Sequence, residues 1–254
     1  MKLAALLLAV ALSVCPALQA QKPNPDLVNH VYNSVAELFV EDVSGSMHMT
    51  CSATAFSKTT LPETPTVYKY RFVSAAHCVS GDSDTQQKQE KFFISADARG
   101  EKTFTAAKLI EAGDKSKGDD FSLFEVTTGE SYEFIPLGDE KPLALGDPII
   151  SVADPYGLGK QYFQGYVSDK ALDRPPLDAS VVIWTDLMTI QIGGGPGSSG
   201  SSVVSVDQKA IVGFLVGATY DVGKLCVPVS KFKAFVEAVD SGKYKKEHKG
   251  SENE

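Results

Sequence analysis

Hydrophobic residues occur in short runs along most of this chain, without helical spacing. The runs are rich in Val, Ile, Phe, Tyr and Thr, and Gly, Pro, Asp and Ser separate them. Runs of this length and composition are typical of strands in an all-β sandwich or barrel. Several alternate only weakly between apolar and polar positions, which favours strands buried in a closed barrel. The clearest predicted strands are 35–40, 66–74, 91–94, 121–126, 148–152, 181–184 and 210–216.

Helical spacing appears near the end of the chain. In SKFKAFVEAVDSG the apolar residues from Phe232 to Val239 recur three and four positions apart, and Ser230 is the predicted N-cap. The pattern predicts a C-terminal helix over about 230–240. A shorter helical turn is predicted around 25–31, before the first strand.

The first twenty residues have the layout of a secretory signal. One lysine precedes an apolar run that is too short to cross a bilayer, and small residues then lead to Ala20. We therefore expect residues 1–20 to be a signal peptide and the protein to be secreted or periplasmic. A lipoprotein signal acylated at Cys15 is an alternative, although the preceding valine fits such a site poorly. No later segment is apolar enough to predict a membrane span.

The rest of the chain is expected to be one folded unit over residues 21–242, followed by a charged, flexible tail over 243–254. The formal net charge of −8 argues against binding nucleic acid through a basic face. Histidines and cysteines are scattered without the spacing of metal ligands. Neither a metal nor an organic cofactor is predicted.

The decapeptide GGGPGSSGSS at residues 193–202 has the composition of a flexible linker. Only about thirty-five residues lie between it and the end of the predicted helix, too few for a stable core of their own. We therefore expect the decapeptide to lie inside the folded unit. There its glycines would permit a sharp turn and let a substrate carbonyl approach the backbone. Composition does not choose among its four serines.

Two earlier segments contain residues that could assist a serine. His77 ends an apolar run, RFVSAAHCVS, although a lone histidine is more often structural. Asp119 and Asp120 directly precede a predicted strand. Asp120 is adjacent to the strand and is the better placed to hold a histidine ring in one tautomer. The alternative interpretation of either aspartate is a turn residue.

Three cysteines follow the predicted signal, namely Cys51, Cys78 and Cys226. In an exported protein, one disulfide and one free thiol is the simplest interpretation of an odd number. A bridge between Cys51 and Cys78 would clamp the backbone beside His77. Cys226 lies in the apolar segment GKLCVPVS and is predicted to be a buried thiol.

In chain order, AAHC, DFSLF and GSSGSSVV resemble the histidine, aspartate and serine segments of chymotrypsin-fold serine proteases. The chain is most similar to the Deg/HtrA-like trypsin-type peptidases. Residues 135–168 resemble their PLGD, GD, GNPxGLG and GxVS pieces, Thr185-Asp186 resembles their TD pair, and PGSSGS resembles their PGNSGG. The likeness extends from about residue 35 to 229. No PDZ module is predicted after it.

The resemblance implies a fold of two packed antiparallel six-stranded β-barrels with a C-terminal α-helix. The first barrel would occupy about 31–133 and the second about 134–229. The resemblance also implies the disulfide between Cys51 and Cys78, because many members carry a bridge beside the catalytic histidine.

The same resemblance assigns roles to site residues. Ser199 would be the nucleophile, His77 the general base and acid, and Asp120 its orienting partner. The N–H groups of Gly197 and Ser199 would form the oxyanion hole. The implied activity is that of an exported serine endopeptidase, a monomer or small oligomer that cleaves protein or peptide substrates.

Three serines depart from the family pattern. Ser198 stands where digestive members have an aspartate that receives a freed N-terminus, so activation by that route is not expected. Ser201 and Ser202 replace a common glycine and a small or proline residue. A catalytically silent protease-like binding or structural protein is therefore an alternative. A serine esterase on an α/β fold is disfavoured, because the segment lacks the GxSxG pattern.

The specificity pocket of this fold would involve residues 189–194 and 214–218. Neither segment contains a carboxylate, so a preference for Lys or Arg is not expected. A small or medium apolar residue before the cleaved bond is expected instead.

Overall fold

The structure is a computed structural model that describes residues 23–42, 44–79, 91–96, 102–114, 118–172, 186–219 and 223–244. The predicted signal peptide with Cys15, the predicted strand 181–184, Thr185 and residues 245–254 of the charged tail lie outside these ranges. Among the described residues, no helix is both long and apolar enough to cross a bilayer.

The first six strands form a closed antiparallel barrel in the order β1-β2-β3-β6-β5-β4. Strand β1 is buried at every position from Val35 to Val40, which explains why its sequence alternates so little. Closure leaves no free strand edge in the barrel. The strands are β1 (Val35–Glu41), β2 (Met47–Leu61), β3 (Thr64–Ser74), β4 (Lys91–Ser95), β5 (Thr105–Ala112) and β6 (Ser122–Thr128).

The last six strands close a second antiparallel barrel in the order β10-β11-β12-β9-β8-β7. Its centre is apolar, with Ile190, Val203, Val212 and Cys226 fully buried in one cluster. The strands are β7 (Pro148–Ala153), β8 (Gln161–Leu172), β9 (Leu187–Gln191), β10 (Ser202–Ser205), β11 (Ala210–Thr219) and β12 (Gly223–Pro228). The predicted fold of two six-stranded barrels with a C-terminal helix is therefore confirmed.

Helix α1 (Pro25–Ser34) precedes the first barrel, and helix α2 (Val229–Asp240) follows the second. The prediction that Ser230 caps α2 is wrong. The N-cap is Pro228, and no side chain bonds to the first turn as a cap. Val229, the first residue of α2, directly follows β12 and is fully buried, so the chain enters the helix directly from the strand.

Helix α2 joins the two barrels through aromatic packing. The Phe232 ring lies 5.2 Å from that of Phe121 and 4.9 Å from that of Phe214, measured between centroids. Phe121 was predicted inside a strand, but β6 begins one residue later, at Ser122. The N–H of Phe121 donates to the carbonyl of Asp119 at 2.9 Å, a turn that delays the strand. Asp120 lies within this turn.

Candidate functional site

His77 lies in a single helical turn, Ala76–Cys78, directly after β3. Its ring Nδ1 is 2.7 Å from Asp120 Oδ2, and its backbone N–H donates to Asp120 Oδ1 at 2.9 Å. The Asp120 side chain is fully buried, whereas the His77 side chain is 32% exposed. A carboxylate bonded at Nδ1 keeps the proton there and leaves Nε2 as the basic nitrogen.

The residues on both sides of His77 are also anchored. Cys78 forms the predicted disulfide with Cys51, on strand β2, and the Ser122 hydroxyl donates to the carbonyl of Ala75 at 3.0 Å. The ring of His77 lies within 4.8 Å of both sulfurs, but their bond to each other leaves no thiolate to hold a metal. The imidazole therefore has little freedom to move.

The remaining cysteine, Cys226, is free and buried in the second barrel, as predicted. Burial raises the pKa of its thiol well above the ordinary value. The thiol is therefore neutral and unreactive at neutral pH.

The loop before Ser199 contains a tight turn. The carbonyl of Gly195 accepts the N–H of Ser198 at 2.9 Å, which places Pro196 and Gly197 at the two central positions. Gly197 has φ +93°, and a positive φ at the second central position is the type II pattern that favours glycine. A Cβ at Gly197 would also lie 2.5 Å from the carbonyl oxygen of Asp154. No other residue fits here without displacing the loop.

The orientation of the Pro196–Gly197 peptide is fixed by a second bond. The carbonyl of Pro196 accepts the N–H of Tyr156 at 2.6 Å. Because a trans peptide points its N–H opposite to its carbonyl, the N–H of Gly197 faces away from Tyr156. Within the part of the chain that the structure describes, no hydrogen bond uses the N–H of Gly197 or of Ser199. Two unpaired amides two residues apart can serve an oxyanion.

Strand β2 of the first barrel holds this loop of the second. The N–H of Ser52 donates to the carbonyl of Ser199 at 3.0 Å, and its hydroxyl donates to the carbonyl of Gly197 at 2.9 Å. A Cβ at Gly200, which has φ +81°, would lie 2.4 Å from Ser74 Oγ, so the loop is pressed against the first barrel. Since Ser52 adjoins Cys51, the same strand anchors the histidine and the serine segments.

The three serines that depart from the family pattern are involved in local bonding and packing. Ser198 Oγ accepts the N–H of Gly195 at 3.1 Å, and Ser201 Oγ accepts the hydroxyl of Ser151 at 3.3 Å. The N–H of Ser202 donates to Thr54 Oγ1 at 3.1 Å, a further contact between the barrels. These serines help to hold the loop in place.

A buried charged cluster lies behind the loop. Glu37 and Asp154 are fully buried, and Lys102 Nζ contacts Glu37 Oε2. Burial, and then the hydrogen bond from Asp154, raise the pKa of Glu37 to about 7, although Lys102 opposes them. In the described structure Glu37 Oε1 and Asp154 Oδ2 have no hydrogen-bond partner among the donors present. One proton shared between the two carboxyl groups satisfies both oxygens.

Neither the contacts of Ser52 nor this cluster was predicted from the sequence. For Ser52 the sequence carries no signal, because its role depends on pairing between the barrels. Two signals for the cluster were present, namely a glutamate inside the apolar run VAELFV and an aspartate at 154 where the similar GNPxGLG loop has asparagine.

A pocket of about 230 Å³ opens beside Ser199, between the loop and the β11–β12 hairpin. Gly194, Leu215, Gly217 and Ala218 line it within the segments predicted for a specificity pocket. Lys224 on β12 also lines it and was not anticipated.

Comparisons with known proteins agree with this architecture. The sequence profile of a family described as "Trypsin-like peptidase domain" matches residues 53–214. A probable periplasmic serine endoprotease DegP-like of Bartonella henselae is 24% identical over 105 residues, which cover 41% of this chain and 19% of that protein. Its counterpart in Rickettsia prowazekii is 30% identical over 109 residues, 41% of this chain and 20% of that protein. The match spans about a fifth of the length of either relative.

Solved structures share the fold. The crystal structure of Deg5 superposes with a TM-score of 0.61 at 16% identity, covering 85% of this chain and 93% of that one. The HtrA-type protease AlgW with decapeptide gives a TM-score of 0.63 at 15% identity, covering 85% of this chain and 67% of that one.

Proposed function

Because the chain belongs to the trypsin-like peptidase family, we propose that it is an exported serine endopeptidase with Ser199, His77 and Asp120 as its catalytic triad. One observation carries the proposal. A fully buried Asp120 holds His77 by ring and backbone, and the loop that Ser52 holds presents Ser199 with two amides that have no partner among the described residues. Acyl transfer needs this combination of nucleophile, oriented base and oxyanion donors.

The proposed reaction begins when Ser199 Oγ attacks the carbonyl carbon of the substrate and passes its proton to His77 Nε2. Negative charge then develops on the carbonyl oxygen, where the N–H groups of Gly197 and Ser199 stabilise it. Collapse breaks the C–N bond as His77 gives the proton to the departing amine, which leaves an acyl-enzyme. Water, deprotonated by His77, then attacks the ester, releases the new carboxylic acid and restores Ser199.

Two observations support an exported location. A disulfide beside the site persists in oxidising compartments, such as the periplasm or the extracellular space. The relatives are named as periplasmic endoproteases, and we extend that location, secreted or periplasmic, to this chain. We further propose that residues 21–242 form the functional unit, as a monomer or small oligomer without a metal or organic cofactor.

A fluorophosphonate probe tests the proposal, because it reacts covalently with an activated serine and needs no knowledge of the substrate. We expect labelling of the parent protein and of Ser230→Ala, a control serine exposed at the start of α2. Ser199→Ala should not be labelled. Absence of labelling in the folded parent would favour the silent binding protein, and labelling of Ser199→Ala would move the nucleophile to Ser198 or Ser201.

Kinetics on a peptide substrate provide a second test. Ser199→Ala and His77→Ala should each lower kcat by about 10⁴-fold or more. The double variant should lose little more than either single variant, because the residues act as one unit. Additive losses would contradict a shared triad.

A further inference from the structure

The pocket beside Ser199 is placed to hold one substrate side chain. Ser199 itself lines it, so an occupant belongs to the residue whose carbonyl Ser199 attacks. The lining residues Gly194, Gly217 and Ala218 leave room for a side chain, and a volume of about 230 Å³ limits what can enter. The chemistry of the lining should therefore decide which residue precedes the cleaved bond.

Lys224 is the single charged residue among the described residues that line this pocket. Strand β12 pairs it with Ala218 on one side and Ile190 on the other. Its Cε lies 4.0 Å from the position of a Cβ at Gly194, so the aliphatic part of the side chain runs along the loop that leads to Ser199.

The ammonium group of Lys224 has no partner within the described residues, in neither a hydrogen bond nor an ion pair. Other lysines that are partly buried do have one. Lys160 Nζ donates to the carbonyls of Tyr32 and Val35, and Lys102 contacts Glu37. A half-buried cation that has no counter-charge among the described residues can attract an anion, because the surrounding protein screens it less than water does.

We propose that Lys224 makes this pocket selective for an acidic side chain, Glu or Asp, on the residue that precedes the cleaved bond. The inference rests on the proposed serine endopeptidase function and specifies its substrate class. It replaces the expectation of an apolar residue, which took only the segments 189–194 and 214–218 into account. A carboxylate would gain a charge-assisted hydrogen bond from Nζ, whereas a Lys or Arg side chain would be repelled.

A set of peptides that differ only at this residue tests the preference. We expect kcat/KM to be at least about tenfold higher for Glu than for Gln, since the two have the same shape and differ by one charge. Lys should be cleaved least. The difference in kcat/KM between the Glu and Gln peptides should narrow as salt increases. Equal cleavage after Glu, Gln and Val would overturn the proposal.

Variants assign the effect to Lys224. Lys224→Met keeps the length of the side chain and removes its charge, so kcat/KM for Glu should fall to the level for Gln. Lys224→Glu should invert the order and favour Lys over Glu. Lys108→Met, an equal change of charge on an exposed position of the first barrel, should leave the preference as in the parent. An unchanged preference in Lys224→Met would overturn the assignment.

Two measurements separate this inference from the proposed function. Fluorophosphonate labelling does not need a side chain in the pocket, so a labelled protein without acidic preference contradicts the role of Lys224 alone. An unlabelled protein contradicts the proposed function itself. Binding then still tests Lys224, because Ser199→Ala should bind a peptide with a C-terminal Glu at least about tenfold tighter than one with Gln. Fluorescence anisotropy measures both affinities, and equal affinities would overturn the inference.

Discussion

His77 is held mainly by side chains, whereas Ser199 is held mainly by its backbone. On the histidine side, Asp120 bonds to the ring and to the N–H of His77, and a disulfide fixes Cys78. On the serine side, the contacts use main-chain atoms of the loop. They are a turn closed from Gly195 to Ser198, the bond from Tyr156 N–H to the carbonyl of Pro196, and the bonds from Ser52 to the carbonyls of Gly197 and Ser199.

The difference predicts how each half responds to substitution. Removing one functional group on the histidine side should change chemistry while the backbone stays in place. On the serine side, most substitutions that leave the backbone conformation of the loop glycines unchanged should be tolerated. Substitutions that add a Cβ at a crowded glycine should distort the loop. Four experiments test this contrast.

The largest effect is expected from Asp120→Asn. The amide keeps the size of the carboxylate, but it can donate to Nδ1 and thereby stabilise the wrong tautomer of His77. We expect kcat to fall by about 10³- to 10⁴-fold with little change in KM. Asp119→Asn is the matched control and should stay within about twofold of the parent. Equal losses in the two variants would contradict the assignment of Asp120.

The next effect is expected from Gly197→Ala on the serine side. The new methyl group would meet the carbonyl of Asp154 at 2.5 Å, so the turn must shift and move an oxyanion donor. We expect kcat to fall by about 10²-fold or more. Gly146→Ala is the control, because Gly146 also has a positive φ, +89°, but no atom within 4 Å of its Cβ position. Gly146→Ala should lower the free energy of unfolding by about 1 kcal/mol and leave kcat unchanged.

The same contrast explains what the sequence could predict. The contact between His77 and Asp120 and the bridge between the two cysteines could be predicted, because each of these residues has distinctive chemistry and lies in a recognisable segment. The barrels were predicted because short apolar runs mark strands. The contact from Ser52 to Gly197 joins residues 145 positions apart, and the place of Lys224 depends on the pairing of β12. Neither follows from a local pattern. The prediction of an N-cap at Ser230 is wrong for a similar reason, because burial of Val229 decides where α2 begins.

Loss of the disulfide should affect stability more than chemistry. The bridge closes 27 residues, so replacing Cys51 and Cys78 by alanine should lower the free energy of unfolding by about 3 to 4 kcal/mol. Urea unfolding followed by circular dichroism measures this loss. Because Asp120 still holds His77, kcat of the folded variant should fall far less than in Asp120→Asn. Cys226→Ala is the control that keeps the bridge, and an equal loss of stability there would contradict the interpretation.

The smallest effect concerns the carboxyl pair behind the loop. Burial and the bond to Asp154 raise the pKa of Glu37 from 4.5 to about 7, so the folded protein keeps a proton that the unfolded chain releases. Stability from this group is complete below about pH 4.5 and is lost as pH rises to about 7. One proton limits the slope to about 1.4 kcal/mol per pH unit. Denaturant unfolding at several pH values should show this decline in the parent and not in Glu37→Gln.

Comparing the parent with Glu37→Gln separates the effect of Glu37 on stability from the effects of the other titratable groups. Asp42 acts in the opposite direction, because its bonds to the Ser44 hydroxyl and then to His48 lower the pKa of its carboxyl. Its stabilising effect is lost only at lower pH, and it is present in both proteins. Asp154→Asn should bring the Glu37 pKa back toward its ordinary range, since the amide removes the shared proton. Parallel curves for the parent and Glu37→Gln would show that the pKa of Glu37 is not raised in the folded protein.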